Sequence, residues 1–225
     1  MQQGTPEPDF EHAKQYALRR LERELPPKLI YHSLSHTRDE VASAVEYLAA
    51  QEHVNGSAVV LVRTAALYHD IGFVESTVMG AYGHNHEAIG ARIAAQVLPR
   101  FGYSPAQIQR IIGMIMATKI PQSPRDVLEQ IVADADLDLL GREDFWIRNQ
   151  NLRDEIAAFG VSTDDDVWYQ GQLQFLRAHR YFTQAARALR GPRKQRHIEQ
   201  LLGMTTKKQA ERMLIPSLSV AASST

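Results

Sequence analysis

The chain has 225 residues, 44% apolar and 23% charged, with a formal net charge of −1. That balance is ordinary for a globular protein of one medium domain, and it gives no electrostatic case for a nucleic-acid or anionic-membrane surface. With no cysteine in the chain, disulfides and thiolate metal sites are excluded, so any metal must be held by His, Asp or Glu, a donor set that suits Mn, Mg, Fe, Ni or Zn.

Met1 to Asp9 carries neither the basic nor the apolar region of a secretory signal, and no apolar run reaches the length of a membrane span. The expectation is a cytoplasmic protein with no membrane or nucleic-acid partner; the oligomeric state is left open. Phe10, Ala13, Ala17, Leu21 and Leu25 recur at helical spacing until Pro26-Pro27. Ser35 or Thr37 can cap the next helix, with Val41, Ala44, Val45 and Leu48 as its stripe. Ser57 can cap a helix from Ala58 to Asp70, and Gly72, Gly80 and Gly83 then mark a loop. Helical patterns resume from His86 to Pro99, after Ser104-Pro105, and after Ser123-Pro124 as far as Ala135. Beyond Gly141 a more polar helix carries Phe145, Leu152, Ile156 and Phe159, and a long pattern from Val167 to Leu189 breaks near Gly171. Short helices over 193–202 and 207–214 and an irregular small-residue tail complete the reading. The fold class is all-α.

Four pieces of this chain carry groups able to bind one divalent ion. The central one is Ala66-Leu67-Tyr68-His69-Asp70-Ile71-Gly72, an imidazole and a carboxylate side by side at the end of an apolar helical run. Consecutive residues on a helix point about 100° apart, so both reach one ion only if it lies over the helix end. Upstream, Tyr31-His32-Ser33-Leu34-Ser35-His36 offers His36 just before a helix. His32 shares its face only if that helix begins earlier, and so ranks below it.

Downstream, His84-Asn85-His86-Glu87 puts His86 at the opening of an amphipathic helix, where the positive end of the dipole suits an anion. A protonated His86 there can touch a phosphate or donate a proton to a leaving oxygen, with Glu87 to orient it; a solvated histidine is the plain alternative. His84 lies in a loop with no such argument. Asp134-Ala135-Asp136-Leu137-Asp138 alternates carboxylates along an otherwise apolar stretch. Positions two apart do not share a helix face, so the three cannot all chelate one ion. Periodicity does not choose between Asp134 and Asp136. The segment Arg177-Ala178-His179-Arg180-Tyr181-Phe182-Thr183, with Trp168 and Tyr169, either walls a pocket for a flat group or packs as an amphipathic helix.

Taken together and in this order, the segments around His36, His69-Asp70 and Asp134-Ala135-Asp136-Leu137-Asp138 resemble the signature of the HD superfamily of metal-dependent phosphohydrolases, over about residues 28 to 140. The resemblance implies a multi-helix bundle around an ion held by His36, His69, Asp70 and one late aspartate, for which Asp136 is favoured. It also implies hydrolysis of a small-molecule phosphoester, a nucleotide or related phosphate compound, by metal-activated water. Members with two metals generally carry a second histidine pair after the His-Asp. Here His86 matches the first of that pair, but the corresponding helix end reads Met116-Ala117-Thr118-Lys119, and Phe73 stands where some binuclear members place a polar residue. One ion is therefore expected rather than two, with Asp70 central to catalysis and Lys119 a candidate to neutralise the phosphate. The alternatives are an HD-type di-iron oxygenase, which needs further histidines, and a non-catalytic metal- or nucleotide-binding module. The expected division is an N-terminal helix (1–27), the HD-like metal-binding core (28–140), C-terminal helices completing the same domain (141–214) and a disordered tail (215–225).

Overall fold

The computed structural model describes residues 7–76, 83, 85–161 and 164–220, with side chains described as far as 205. Among the described residues the chain is all-α. Helix α1 (Phe10–Glu24) starts where the Asp9 carboxylate accepts the His12 N–H at 3.1 Å, and it buries the small residues Ala13 and Ala17 with Leu21. Those alanines let it lie close to α3 (Ser57–Tyr68), whose Tyr68 hydroxyl donates to the Ala13 carbonyl at 3.0 Å.

Helix α3 is the axis of the molecule. It buries Leu61, Val62 and every residue from Thr64 to Tyr68, and it packs against α1, α2 (Ala42–Gln51), α6 (Pro105–Ala117) and α7 (Val127–Asp136). A helix apolar on all sides belongs in a core. The stretch Ser57–Ser76 is long and apolar enough to cross a membrane by composition, yet 72% of its apolar 18-residue window is buried inside the bundle. Helix α4 (Phe73–Ser76) is a short turn in the region read as loop, and α5 (His86–Val97) runs along α6. Residues 77–82 and 84 of that loop, His84 included, lie outside the described residues.

Helix α6 opens with a reciprocal capping box between Ser104 and Gln107 and with Pro105 at its first turn. It then drives Ile108, Ile111 and Ile115 inward, each contributing about 2 kcal/mol by burial. Helix α7 begins where Asp126 accepts the N–H groups of Leu128 and Glu129, and it buries Ile131, Val132 and Ala135. The start of the second helical segment differs from a capped one. Ser35 is already helical with no side-chain cap, and His36–Val41 is a π-helical turn running into α2; such widened turns are frequent at functional sites.

The C-terminal layer consists of α8 (Phe145–Ala158), α9 (Asp165–Ala178) and α10 (Gln184–Val220). The Trp168 Nε1–H donates to Asn149 across α9 and α8 at 2.9 Å, and Trp146 Nε1–H donates to Gln200 of α10 at 3.2 Å. Trp168 is thus engaged in packing on α8. The break expected near Gly171 falls at 179–183 instead. From there α10 runs unbroken to Val220, through Pro192 and Pro216, where the local pattern suggests two short helices and a tail beginning at 215. A proline inside a helix costs about 3 kcal/mol; the packing of α10 along α9 and the turn 138–141 outweighs it at Pro192. At that turn the approach is so close that a Cβ on Gly141 would stand 2.3 Å from the Arg190 carbonyl oxygen.

Candidate metal centre

Helix α3 ends at Tyr68, and the next residues turn tightly, with the Ile71 N–H donating to the Tyr68 carbonyl and the Phe73 N–H to that of Asp70. This early ending points both His69 and Asp70 over the helix end, the condition that adjacent residues need to serve one ion. Gly72 makes the turn possible: a Cβ there would lie 1.9 Å from the His86 carbonyl oxygen. The first turn of α5 therefore presses directly on the backbone after Asp70.

Into this space come His36 from the π-helical turn and Asp136 from the end of α7. His36 Nε2 lies 3.7 Å from Asp70 Oδ2 and 3.6 Å from Asp136 Oδ1, and His69 Nε2 lies 3.2 and 3.5 Å from the same two oxygens. Ligand atoms of His36, His69 and Asp136 all fall within 4.8 Å of one another. Atoms bound about 2.1 Å from one ion stand about 3.0 Å apart at right angles and about 3.4 Å apart at the tetrahedral angle. Three of the four separations are long for hydrogen bonds, and all four are of the size that a shared cation sets.

The protonation of the site agrees with that reading. His69 Nδ1 faces the Ala66 carbonyl at 2.8 Å, which can only accept, so one proton sits on Nδ1; burial opposes a second, but Asp70 and Asp136 raise the ring well above its ordinary range, so Nε2 is the position where a bound cation takes the place of a proton. His36 Nδ1 is backed by Glu40 Oε2 at 3.3 Å, the arrangement in which a carboxylate orients a ligating imidazole. His36 Nε2, His69 Nε2 and Asp70 Oδ2 are buried and lack any hydrogen-bond partner among the described residues. An orphaned polar atom costs on the order of 1–3 kcal/mol, and three converging on one point fit a divalent ion. Burial pushes the Asp70 carboxyl up, but the imidazoles of His69 and His86 outweigh it and hold the group well below the usual carboxylate range. Burial likewise opposes ionisation of Asp136, yet His36 and His69 hold it down at about 2. Both carboxylates are anionic near neutral pH.

A second tier fixes these groups. Glu40 is met by Arg148 at 3.3 Å and Arg142 at 3.5 Å, and Arg148 also donates to the Tyr31 carbonyl at 3.0 Å. The Tyr31 ring stacks on His36, centroids 5.4 Å apart. The buried Glu155 carboxylate accepts the N–H groups of Tyr31 and His32 at 2.7 and 3.0 Å and contacts His32 Nδ1 at 2.5 Å. His32 is held outside the ion-binding set, in a stack with Phe73 and His86 whose neighbouring centroids are 4.5 and 4.2 Å apart. Glu40 has a legible signal in the sequence, four residues after His36 on the same face. Arg148 and Glu155 have none, being more than a hundred residues away.

His86 reaches the site, its Nε2 3.4 Å from Asp70 Oδ1. Its orienting partner is the Gly83 carbonyl, 2.9 Å from Nδ1, whereas Glu87 stands 3.7 Å off, so Glu87 does not take the orienting role read for it. Lys119 is exposed in a groove with Ile120, Pro121, Ser123, Arg125 and Glu129 that includes none of the clustered residues. Asp134 faces the other way: its carboxylate accepts the N–H groups of Phe182 and Thr183 and the Thr183 hydroxyl, each at 2.8 Å at its shortest. Thr118, at the place of a further histidine, turns its hydroxyl back to the Ile115 carbonyl at 2.8 Å.

Residues 29–138 match the family model of the HD domain. Two solved structures share the fold at low identity. One, from an uncultured Thermotogales bacterium and described as a predicted HD superfamily hydrolase, is 19% identical with a TM-score of 0.56, covering 89% of this chain and 93% of that one. The other, from Lactobacillus plantarum, is 16% identical with a TM-score of 0.64, covering 90% and 97% respectively. No curated protein matches the sequence.

Proposed function

Because the chain belongs to the HD-domain family, we propose that it is a metal-dependent phosphohydrolase acting on a nucleotide or related small phosphate compound, with His36, His69, Asp70 and Asp136 holding a single divalent ion. The observation that carries the proposal is the convergence of three buried polar atoms with no hydrogen-bond partner among the described residues, one from His36 and two from the adjacent His69 and Asp70. When bound, the ion supplies Lewis-acid charge for the phosphoryl group and lowers the pKa of a water. Two imidazoles and two carboxylates leave a divalent cation close to neutral. Glu40 keeps His36 in the tautomer that offers Nε2, and Ala66 does the same for His69. His86, about one-fifth exposed at the rim, is the side chain set to touch a phosphoryl oxygen or pass a proton to the leaving oxygen. The stacked Phe73 and the back-bonded Thr118 favour one ion over two.

The test is metal content by mass spectrometry on untagged protein, beside the His69→Ala and Asp70→Ala variants. About one divalent ion per chain, lost in His69→Ala, with phosphoester turnover abolished in Asp70→Ala and helical circular dichroism retained, is the expected result. Two irons per chain point instead to dioxygen chemistry, and bound metal with bound nucleotide but no phosphate release points to a sensing module.

A further inference from the structure

Outside the family-matched residues, the 179–183 segment between α9 and α10 brings a second polar group to the end of α7. The Tyr181 hydroxyl donates to the carbonyl of Leu137, the residue after Asp136, at 3.2 Å, while Asp134 clamps the next two residues. The His179 ring meets Tyr181 edge-on at 4.7 Å, and Lys194 Nζ stands 5.6 Å from the Tyr181 centroid while donating to the His179 carbonyl at 2.5 Å. His179 is near enough to Asp136 for that carboxylate to act on its ring, yet it is not one of the residues whose ligand atoms cluster within 4.8 Å. It lies beside the ion site without belonging to it.

Both His179 ring nitrogens are buried without a hydrogen-bond partner among the described residues. A neutral imidazole there leaves one donor and one acceptor unused, and burial together with the Lys194 charge pushes the ring down to about 3, which keeps it neutral. Lys194 is itself buried, which pushes its ammonium down to about 8. The carboxylates that act on Tyr181 are committed elsewhere: Asp138 pairs with Arg190 at 2.6 and 2.9 Å, and Asp134 serves the backbone. Arg187 is spent on the carbonyls of Tyr181 and Phe182. A buried ammonium that burial alone destabilises, beside an imidazole with idle nitrogens, is costly unless an anion joins them.

We infer that His179 and Lys194 form a phosphate-recognition subsite, supplied by the C-terminal helices, that grips a phosphate oxygen of the substrate beside the metal centre. The inference rests on the phosphohydrolase reading for its substrate class. The lysine contributes a point charge and the imidazole a directed N–H.

The experiment is calorimetric titration of inorganic phosphate into the full chain, metal-free and Mn-loaded, for the wild type, Lys194→Met, Lys194→Arg and His179→Gln. Lys194→Met is expected to weaken phosphate binding about tenfold, the worth of one charge-assisted hydrogen bond, with His179→Gln weakening it severalfold and Lys194→Arg restoring most of it. Metal content stays that of the wild type in all three. Equal affinity across the set, or no phosphate binding by the wild type in either state, overturns the subsite; if Lys194→Met fails to fold, His179→Gln decides. Failure of the metal reading shows itself separately, as a chain that takes up no ion while Lys194 still governs phosphate binding.

Discussion

A histidine kept neutral by its surroundings makes stability depend on pH. Burial and the Lys194 charge push the His179 ring, between Phe175 and Tyr181 and within reach of the Asp136 charge, down to about 3 in the folded chain against about 6.5 once unfolded. Between those values the unfolded state binds one proton more, so stability rises with pH across the window and falls as pH drops from 6.5 toward 3, by about 1.4 kcal/mol per unit. Urea unfolding of the metal-free chain at about pH 7, 6 and 5 is expected to show the wild type losing about half that much more than His179→Gln over the first step and nearly all of it over the second; parallel slopes would count against a neutral buried ring. The behaviour of this residue is invisible in the sequence, where Arg177 to Thr183 reads either as a pocket wall or as an amphipathic packing helix. His36, His69 and Asp70 are legible because their order and helical setting are local properties. Glu155, which holds the backbone before His36, acts across 124 positions, and no periodicity reports such a pairing.

Two carboxylates one residue apart on either side of Ala135 do different work because a helix turns them about 200° from each other. Asp136 joins the imidazoles, and Asp134 fastens the 179–183 segment to α7. Asp134→Ala is expected to cost about 3 kcal/mol by stranding buried N–H groups while leaving metal content unchanged; Asp136→Ala is expected to lose the ion. Denaturant midpoints and metal analysis on both variants check the separation, and loss of metal from Asp134→Ala alone would reverse the assignment. At this scale the sequence is informative where caps and stripes coincide, as at Ser104-Pro105 or along Ile108, Ile111 and Ile115. It misleads where tertiary packing overrides a local breaker, as at Pro192 within α10, and where a helix starts without a cap, as at His36.

The proposed ligands span residues 36 to 136 and come from three segments of the bundle, so unfolding takes the ion site apart completely. All of the metal's binding free energy then adds to stability. At a free concentration about one hundred times Kd this amounts to about 2.7 kcal/mol, or roughly 5–10 °C in Tm for a chain of this size. Chelation is expected to lower the thermal midpoint by that amount, and added divalent ion to restore it; a midpoint indifferent to chelator would mean that no ion contributes to the folded state. The placement of Trp146 and Trp168, the chain's two tryptophans, has an optical consequence. Both lie in α8 and α9, with their indoles tied to Gln200 and Asn149, and neither lies in the stretch that supplies the proposed ligands. Tryptophan emission therefore watches the C-terminal layer alone, while far-ultraviolet dichroism watches every helix, and the two melting curves coincide only if layer and core unfold as one cooperative unit.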